Sequence, residues 1–224
     1  MISGETRLVG LLGDPVCGSL SPPMQNAAFA ARGLDWAYVA LAVRAEQLEE
    51  ALRGLVALGF AGANVTTPHK LAVARLVGAD VPSVNALVVR DGRLQGTSTD
   101  AAILAGLEFE HAAILGDGGA AAAFAAALPA ASRFSRRGTW PPDLNGVDLV
   151  VNATSERHEV LVPLQAGQTL VDLPYPATVT AVAAAQHGAR VVDGLDVLVA
   201  QGAASFELWT GVTAPVGVMR ASVR

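Results

Sequence analysis

Short apolar runs alternate with segments of helical periodicity along most of the chain. The runs at residues 7–13 and 60–66 lead into Asp-Pro and Thr-Thr-Pro, which is typical of buried strands that end in turns. Between them lie a strand-like segment at 36–43 and, at 45–58, apolar residues spaced to form one face of a helix. This alternation predicts an α/β fold with mostly parallel sheets.

The polar segment after the first strand predicts the start of a helix. Ser21 is a good N-cap, Pro22 suits the first helical position, and Gly33 would close the helix, which is therefore expected at about residues 22–32. The other elements predicted by the same reasoning are a hairpin at 84–97, strands at 147–154, 169–173 and 189–192, and helices at 177–187 and 195–209.

A second unit begins near residue 112. The apolar run 112–115 is followed directly by a turn of three glycines, Gly116, Gly118 and Gly119, and by an alanine-rich stretch with helical character. Strand, glycine turn and helix in this order form the first piece of a dinucleotide-binding unit. The turn alone is a weak signal, because the third glycine of the usual fingerprint is replaced by Ala121.

The composition excludes several classes of protein. The 224 residues are 52% hydrophobic and 16% charged, a balance that excludes disorder for the bulk of the chain. A net charge of −5 gives no general attraction to nucleic acid or to an anionic membrane. The single cysteine excludes an intrachain disulfide and a thiolate zinc cluster. Charged residues near the N-terminus and the lack of a long apolar run predict a cytoplasmic protein without a membrane span.

One lysine stands out among the 15 basic residues, because all the others are arginines. Lys70 ends the segment Asn-Val-Thr-Thr-Pro-His-Lys, where a predicted strand meets the next helix, and Asp100 follows another short strand. Ligands bind at the carboxyl ends of strands in open α/β sheets, and lysine, unlike arginine, can release its proton. A Lys–Asp pair there could transfer protons, although spacing alone fits an ordinary ion pair better.

A basic loop follows the glycine turn by about 20 residues, where an NAD site would carry an acidic residue. The segment holds Arg133, Arg136 and Arg137 and no acid. Guanidinium groups bind a phosphate by paired, charge-assisted hydrogen bonds, so the loop favours NADP. An ordinary solvated basic loop is the alternative.

Several separated motifs together resemble the shikimate dehydrogenase family, nearly from end to end. The Ser-x-Ser-Pro motif begins at Ser19, the Asn-Val-Thr-x-Pro-x-Lys motif begins at Asn64, and the Val-Asn and Thr-Asp pairs end at Asn85 and Asp100. The C-terminal Gln-Gly-x-x-x-Phe-Glu-x-Trp-Thr-Gly begins at Gln201. The resemblance implies reversible, NADP-dependent reduction of 3-dehydroshikimate to shikimate in the pathway to chorismate and the aromatic amino acids.

By this resemblance the fold would be two α/β domains. The substrate domain would span residues 1–105 and be completed by C-terminal helices at about 203–224, and a reduced Rossmann-type NADP domain would span 106–202. Lys70 and Asp100 would form the catalytic pair. The substrate-binding residues would be Ser19, Ser21, Asn64, Thr66, Asn85, Tyr175 and Gln201. The cofactor-binding residues would be Gly116, Gly118, Gly119, Ala120, Arg133, Ser135, Arg136, Arg137, Asn152, Ala153, Thr154 and Gly194. We expect no metal, a small-molecule substrate, and a monomer or homodimer.

The departures from the family fall mainly in the cofactor half. The segment between the basic loop and the strand at 147–154 is too short and proline-rich for a crossover helix, and Ser-Glu-Arg-His at 155–158 begins where the family has Gly. Two alternatives therefore remain open at this point. One is a quinate/shikimate dehydrogenase of the same scaffold that uses NAD, and the other is a non-catalytic shikimate-binding paralogue with a decayed cofactor domain.

Overall fold

A computed structural model describes residues 2–224. Contacts between residues divide the chain into two compact units. The first unit comprises the described residues up to Thr99 together with Val199–Arg224, and the second comprises Asp100–Leu198. The chain therefore leaves the first unit and returns to it at the end.

The first unit contains a five-stranded sheet in the order β2-β1-β3-β4-β5. The pairs β1–β2 and β1–β3 are parallel, whereas β4 pairs antiparallel with both β3 and β5. Its strands are β1 (Arg7–Gly13), β2 (Trp36–Ala42), β3 (Gly62–Val65), β4 (Ala86–Arg90) and β5 (Arg93–Thr97). Its helices in the first part of the chain are α1 (Ser21–Ala31), α2 (Leu48–Ala57) and α3 (Lys70–Leu76), with a 3₁₀ turn at Ala45–Gln47.

The second unit contains a five-stranded sheet in the order β10-β9-β8-β6-β7, in which every neighbouring pair is parallel. Its strands are β6 (Ala112–Leu115), β7 (Ser132–Phe134), β8 (Leu149–Asn152), β9 (Thr169–Asp172) and β10 (Arg190–Val192). Its helices are a 3₁₀ helix at Asp100–Gly106, α4 (Gly119–Ala127) and α5 (Val179–Gln186). Helix α6 (Gly194–Thr210) runs from the second unit into the first, which ends with α7 (Val216–Ala221).

Apolar residues on the strands explain the two cores. In the first unit, Leu12, Val65 and Leu87 on three neighbouring strands are almost fully buried and share a cluster with the apolar face of α2. The second sheet is buried on both faces, because Leu115 and Ile114 on the same strand belong to two different clusters. Near-continuous apolar strands are what a parallel sheet covered on both faces requires. The predicted α/β class with mostly parallel sheets is confirmed.

Some local predictions are wrong. Ser21 is the first residue of α1 and not its cap; Leu20 holds the cap position without a side-chain hydrogen bond. The amide N–H of Ser21 instead donates to the hydroxyl of Ser19 at 3.2 Å. The basic loop begins with a strand, β7, that the sequence did not predict, whereas α7 lies within the C-terminal helices expected at about 203–224. No helix lies between β7 and β8 within the described part of the chain, which agrees with the short segment there.

Candidate functional site

The first unit gathers polar side chains where its strand order changes direction. The chain passes from β1 outward to β2 and then returns to β3 on the other side of β1, so the carboxyl ends of β1 and β3 form the switch point at which ligands bind in open sheets. The two strand ends approach closely, because a Cβ on Gly13 would overlap the side chain of Thr66. The Ser-x-Ser segment follows β1, and the segment that contains Lys70 follows β3.

Asn64, near the end of β3, lies in a buried hydrogen-bond network. The Tyr38 hydroxyl donates to Oδ1 of Asn64 at 2.9 Å. The amide nitrogen of Asn64 donates to the backbone oxygen of Asn85 at 2.9 Å and to the hydroxyl of Ser205 at 3.0 Å. Both amide hydrogens are thus used within the protein, and Oδ1 keeps one lone pair for a ligand.

Asn85 continues this network toward the C-terminal helix α6. Its amide nitrogen donates to the hydroxyl oxygen of Thr99 at 2.9 Å and to Oε1 of Gln201 at 3.2 Å. Its Oδ1 accepts from the backbone N–H of Thr99 at 2.6 Å, and the Thr99 and Ser205 hydroxyls lie 3.0 Å apart. The structure therefore brings three predicted substrate-binding residues, Asn64, Asn85 and Gln201, into one network.

Lys70 begins α3, directly after a turn closed by the His69 amide, which donates to the Thr66 oxygen at 3.0 Å. The backbone oxygen of Lys70 accepts from Val84 at 3.1 Å, which places the helix start beside the strand entry that carries Asn85. His69 itself is buried, with Nε2 2.6 Å from the backbone oxygen of Val43, so it packs in the core.

Of the predicted catalytic and substrate-binding residues, two lie in the second unit. Asp100 directly follows Thr99 in the chain, begins the 3₁₀ helix and is buried. Tyr175 lies in the loop between β9 and α5 and is half-buried. Gly194, the first residue of α6, lies close to this loop, because a Cβ there would lie 2.7 Å from the backbone oxygen of Leu173.

The glycine turn of the second unit stands at its own switch point, between β6 and β8. Gly116 has φ +123°, and a Cβ on it would lie 2.9 Å from the backbone oxygen of Ala153, which follows β8. Glycine is the residue that adopts this backbone conformation so close to the segment that follows β8. A Cβ on Gly118, by contrast, would meet nothing within 4 Å, so the backbone at the start of α4 is open to approach.

The end of β8 is fixed by Asn152. Its amide nitrogen donates to Oδ1 of the buried Asp172 at 2.7 Å, and its Oδ1 accepts from the amide and the hydroxyl of Thr154 at 3.1 and 2.8 Å. Asp172 in turn accepts from the backbone N–H of Thr178 at 3.2 Å. This side chain therefore shapes the loop in which Ala153 and Thr154 lie.

The basic loop follows β7, next to the glycine turn in the sheet. Ser135 forms a turn, in which its oxygen accepts from Gly138 at 3.0 Å and its N–H donates to Thr139 at 3.2 Å. The Arg136 guanidinium forms an ion pair with Glu159, and that of Arg137 lies 3.8 Å from Asp117. Arg133 lies exposed on β7 itself.

These residues fit a dinucleotide phosphate. The first N–H groups of a helix have no acceptor within the helix and are favourable to an anion, and at α4 the glycine turn leaves them uncovered. Asp117 is turned toward Arg137, which offsets its charge beside the turn. Three guanidinium groups, one on β7 and two on the loop that follows it, supply donors that suit a 2′-phosphate.

Sequence reasoning missed several residues of these sites. Ser205 follows Gln201 by one helical turn, and this spacing within a predicted helix could have shown that both side chains share a face. Tyr38 gave no local signal, because it reaches Asn64 only through the pairing of β2 and β3 with β1. Glu159, the partner of Arg136, lies in a loop without periodicity.

Other kinds of site find no support in the described residues. Nowhere in residues 2–224 do three His, Cys, Asp or Glu side chains lie close enough together to hold a metal ion. None of the helices described is long and apolar enough to span a bilayer.

Known proteins resemble this chain over its whole length. The family model of the shikimate dehydrogenase substrate binding domain matches residues 11–86, and that of the shikimate 5′-dehydrogenase C-terminal domain matches residues 194–224. A relative from Anaeromyxobacter sp. (strain Fw109-5), named shikimate dehydrogenase (NADP(+)), is 39% identical, and the alignment covers 100% of this chain and 98% of the relative. That alignment spans 272 positions against 224 residues here, so the relative carries segments that this chain lacks.

Solved structures give the same result. A crystal structure of a shikimate dehydrogenase in complex with NADP⁺ superposes with a TM-score of 0.87 at 31% identity, covering 100% of this chain and 96% of that one. The shikimate 5-dehydrogenase of Thermus thermophilus, solved with NADP(H) and shikimate, gives a TM-score of 0.82 at 31% identity, with 97% and 98% covered. These likenesses do not favour a quinate/shikimate dehydrogenase that uses NAD or a non-catalytic shikimate-binding paralogue.

Proposed function

The chain belongs to the shikimate dehydrogenase family, and from this we infer that it is an NADP-dependent oxidoreductase that reduces 3-dehydroshikimate to shikimate and catalyses the reverse reaction. The observation that carries the proposal is the buried network of Tyr38, Asn64, Asn85, Gln201 and Ser205. Such a network fixes amide groups in one orientation, which a ligand with several ring hydroxyls requires for selective binding.

We assign most of the substrate-binding residues to the first unit. The hydroxyls of Ser19 and Ser21 would bind the substrate carboxylate, with Ser19 held by the N–H of Ser21. Asn64, Asn85 and Gln201 would bind the ring hydroxyls, and their contacts with one another support a single site. Thr66 at the end of β3 and Tyr175 after β9 would complete the contacts with the substrate.

Lys70 and Asp100 are proposed as the proton-transfer pair. NADPH, when bound, supplies the hydride. In the direction of reduction, the Lys70 ammonium would donate a proton to the carbonyl oxygen as that oxygen gains negative charge, and in the oxidation it would take the proton back from the hydroxyl. Asp100 would orient Lys70 and accept a hydrogen bond from a neighbouring ring hydroxyl.

The second unit is proposed to hold NADP. Gly116, Gly118, Gly119 and Ala120 would place backbone N–H groups against the pyrophosphate at the start of α4. Arg133, Ser135, Arg136 and Arg137 would bind the 2′-phosphate, and Asn152, Ala153, Thr154 and Gly194 would line the nicotinamide side.

A cytoplasmic location and a monomeric or homodimeric state are part of the same proposal. Cell fractionation tests the location, and light scattering tests the oligomeric state.

A dehydrogenase assay tests the proposed reaction. Shikimate and quinate are each combined with NADP⁺ and NAD⁺, and reduction of the nicotinamide is followed by absorbance. We expect turnover with shikimate and NADP⁺ to exceed that of the other three combinations. Higher kcat/KM with quinate and NAD⁺ would instead establish the quinate alternative. Shikimate binding without any turnover would establish the non-catalytic one.

A further inference from the structure

Arg136 lies beside an acidic side chain and an aromatic ring. Its Nη2 lies 2.5 Å from Oε2 of Glu159, and its guanidinium carbon lies 5.7 Å from the ring centroid of Trp140. The side chains of the ion pair are about half exposed, at 51% and 59%. The hydrogen bond to Glu159, together with its charge, raises the pKa of the Arg136 guanidinium, and Glu156 contributes in the same direction.

Hydrogen bonds to α5 and within the loop itself fix the backbone around Glu159. The buried hydroxyl of Thr180 on α5 donates to the backbone oxygen of Glu159 at 3.1 Å and accepts from the N–H of Leu161 at 3.0 Å. Earlier in the loop, Oε1 of Glu156 accepts from the backbone N–H groups of Arg157 and His158 at 2.9 and 2.8 Å. Glu159 therefore extends toward Arg136 from a backbone that neighbouring elements fix in place.

A 2′-phosphate and the Glu159 carboxylate compete for the N–H groups of the Arg136 guanidinium. A phosphate binds arginine best through two of these groups, and Glu159 already accepts a hydrogen bond from Nη2. A phosphate monoester carries about −1.5 to −2 charges at neutral pH, so it is also repelled by a carboxylate beside the same arginine. NAD has no phosphate at this position and meets neither obstacle.

We propose that Glu159 is a cofactor-discrimination residue, which competes with the 2′-phosphate for Arg136 and so lowers the preference for NADP over NAD. This inference rests on the proposed function, because it assumes that the second unit binds NADP. Glu159 touches no reacting atom, and its effect should therefore appear in the affinity for the cofactor and not in the rate of the chemical step.

Fluorescence titration of NADPH and NADH with the full-length protein tests the proposal. Exposed ion pairs are worth little, so Glu159→Gln is expected to lower the dissociation constant of NADPH by roughly two- to fivefold and to leave that of NADH unchanged. Glu159→Lys should lower the dissociation constant of NADPH further. Glu110→Gln, an exposed acid just before β6 at the opposite end of that strand from the glycine turn, controls for the change in net charge and should bind NADPH as the wild type does.

A double-mutant cycle with Arg136→Ala shows whether Arg136 mediates the effect. In the Arg136→Ala background, Glu159→Gln should change NADPH affinity much less than it does in the wild type. An unchanged or weaker affinity of Glu159→Gln for NADPH would overturn the proposal, and a weaker one would indicate that Glu159 pre-positions Arg136. An equal gain without Arg136 would also overturn it. Failure of the wild type to bind NADPH at all would refute the proposed function itself, whereas normal wild-type binding with no effect of Glu159 would refute this inference alone.

Discussion

The two candidate sites use polar groups in different ways. In the first unit the polar side chains are buried, and hydrogen bonds connect them between β2, β3, the residue before β4 and α6. In the second unit the charged groups near the glycine turn are exposed and form isolated pairs, Arg136 with Glu159 and Arg137 with Asp117. Removing one partner from a buried network leaves an unsatisfied group, whereas an exposed pair contributes little.

This difference suggests that the first site tolerates substitution less well than the second. A hydrogen-bonded amide in a buried network has one acceptable geometry, so a change at any member disturbs the others. A phosphate site built from backbone N–H groups and exposed arginines tolerates the loss of surrounding structure. The predictions below test this contrast, beginning with the largest effect.

Lys70→Ala should lower kcat for shikimate oxidation by roughly 10²–10⁴-fold, because one acid–base group is lost, while KM changes less. Lys70→Arg should not restore activity, because arginine does not release its proton at accessible pH. Steady-state kinetics at saturating NADP⁺ measure both. Retention of more than about a tenth of the wild-type kcat by either variant would remove Lys70 from the acid–base role.

The affinity for NADPH should be weaker than that of the longer Anaeromyxobacter relative. The segment between β7 and β8 has no helix to support the adenosine side, and a loss of about 1–3 kcal/mol corresponds to roughly 10–150-fold. Fluorescence titration of both proteins, with and without shikimate, gives the ratio. Equal affinities would show that the missing segment does not support the cofactor.

Replacing both Arg136 and Arg137 with Ala should raise KM for NADP⁺ about tenfold, because charge-assisted hydrogen bonds to the 2′-phosphate are lost. KM for NAD⁺ should stay nearly constant. Arg190→Ala, at the amino end of β10, is the matched control for loss of a guanidinium in the same unit. A parallel rise for both cofactors would mean that the arginines stabilise the unit without contacting the phosphate.

Tyr38→Phe should lower kcat/KM for shikimate about fivefold, since a buried hydrogen bond worth about 1 kcal/mol no longer orients Asn64. The affinity for NADPH should not change, because Tyr38 lies in the first unit. Ser222→Ala, which removes a hydroxyl that donates to Met219 in α7 of the same unit, serves as control and should leave both constants at wild-type values. If the two variants behave alike, the network does not orient Asn64.

The order of strands and helices follows well from the sequence, because most strands here are continuous apolar runs and most helices have a clear periodicity or a glycine at their ends. Strand β7 was not predicted, since Ser-Arg-Phe has no apolar run and becomes a strand only by pairing with β6. Ser21 was mistaken for a cap because its own hydroxyl is a good acceptor, whereas the structure uses the hydroxyl of Ser19.

The candidate sites could be located only in part. Motifs indicated Asn64, Asn85 and Gln201, but the side chains that hold them come from sequence-distant elements. Tyr38 on β2 reaches Asn64 through the register of two strand pairs, which no local pattern encodes. Glu159 is an exposed acid in a loop, a residue type too common to carry a signal, and the roles of the site residues remain predictions.

The return of the chain to the first unit has a consequence for synthesis on the ribosome. Residues from α6 complete the first core: Phe206 stacks on Phe29 with ring centroids 5.4 Å apart, and the side-chain amide of Gln25 donates to the backbone oxygen of Gly202 at 2.9 Å. The first unit therefore lacks part of its interior until α6 has left the exit tunnel. The second unit is continuous in sequence, so we expect it to fold before the first unit, although most of the first unit is synthesised earlier.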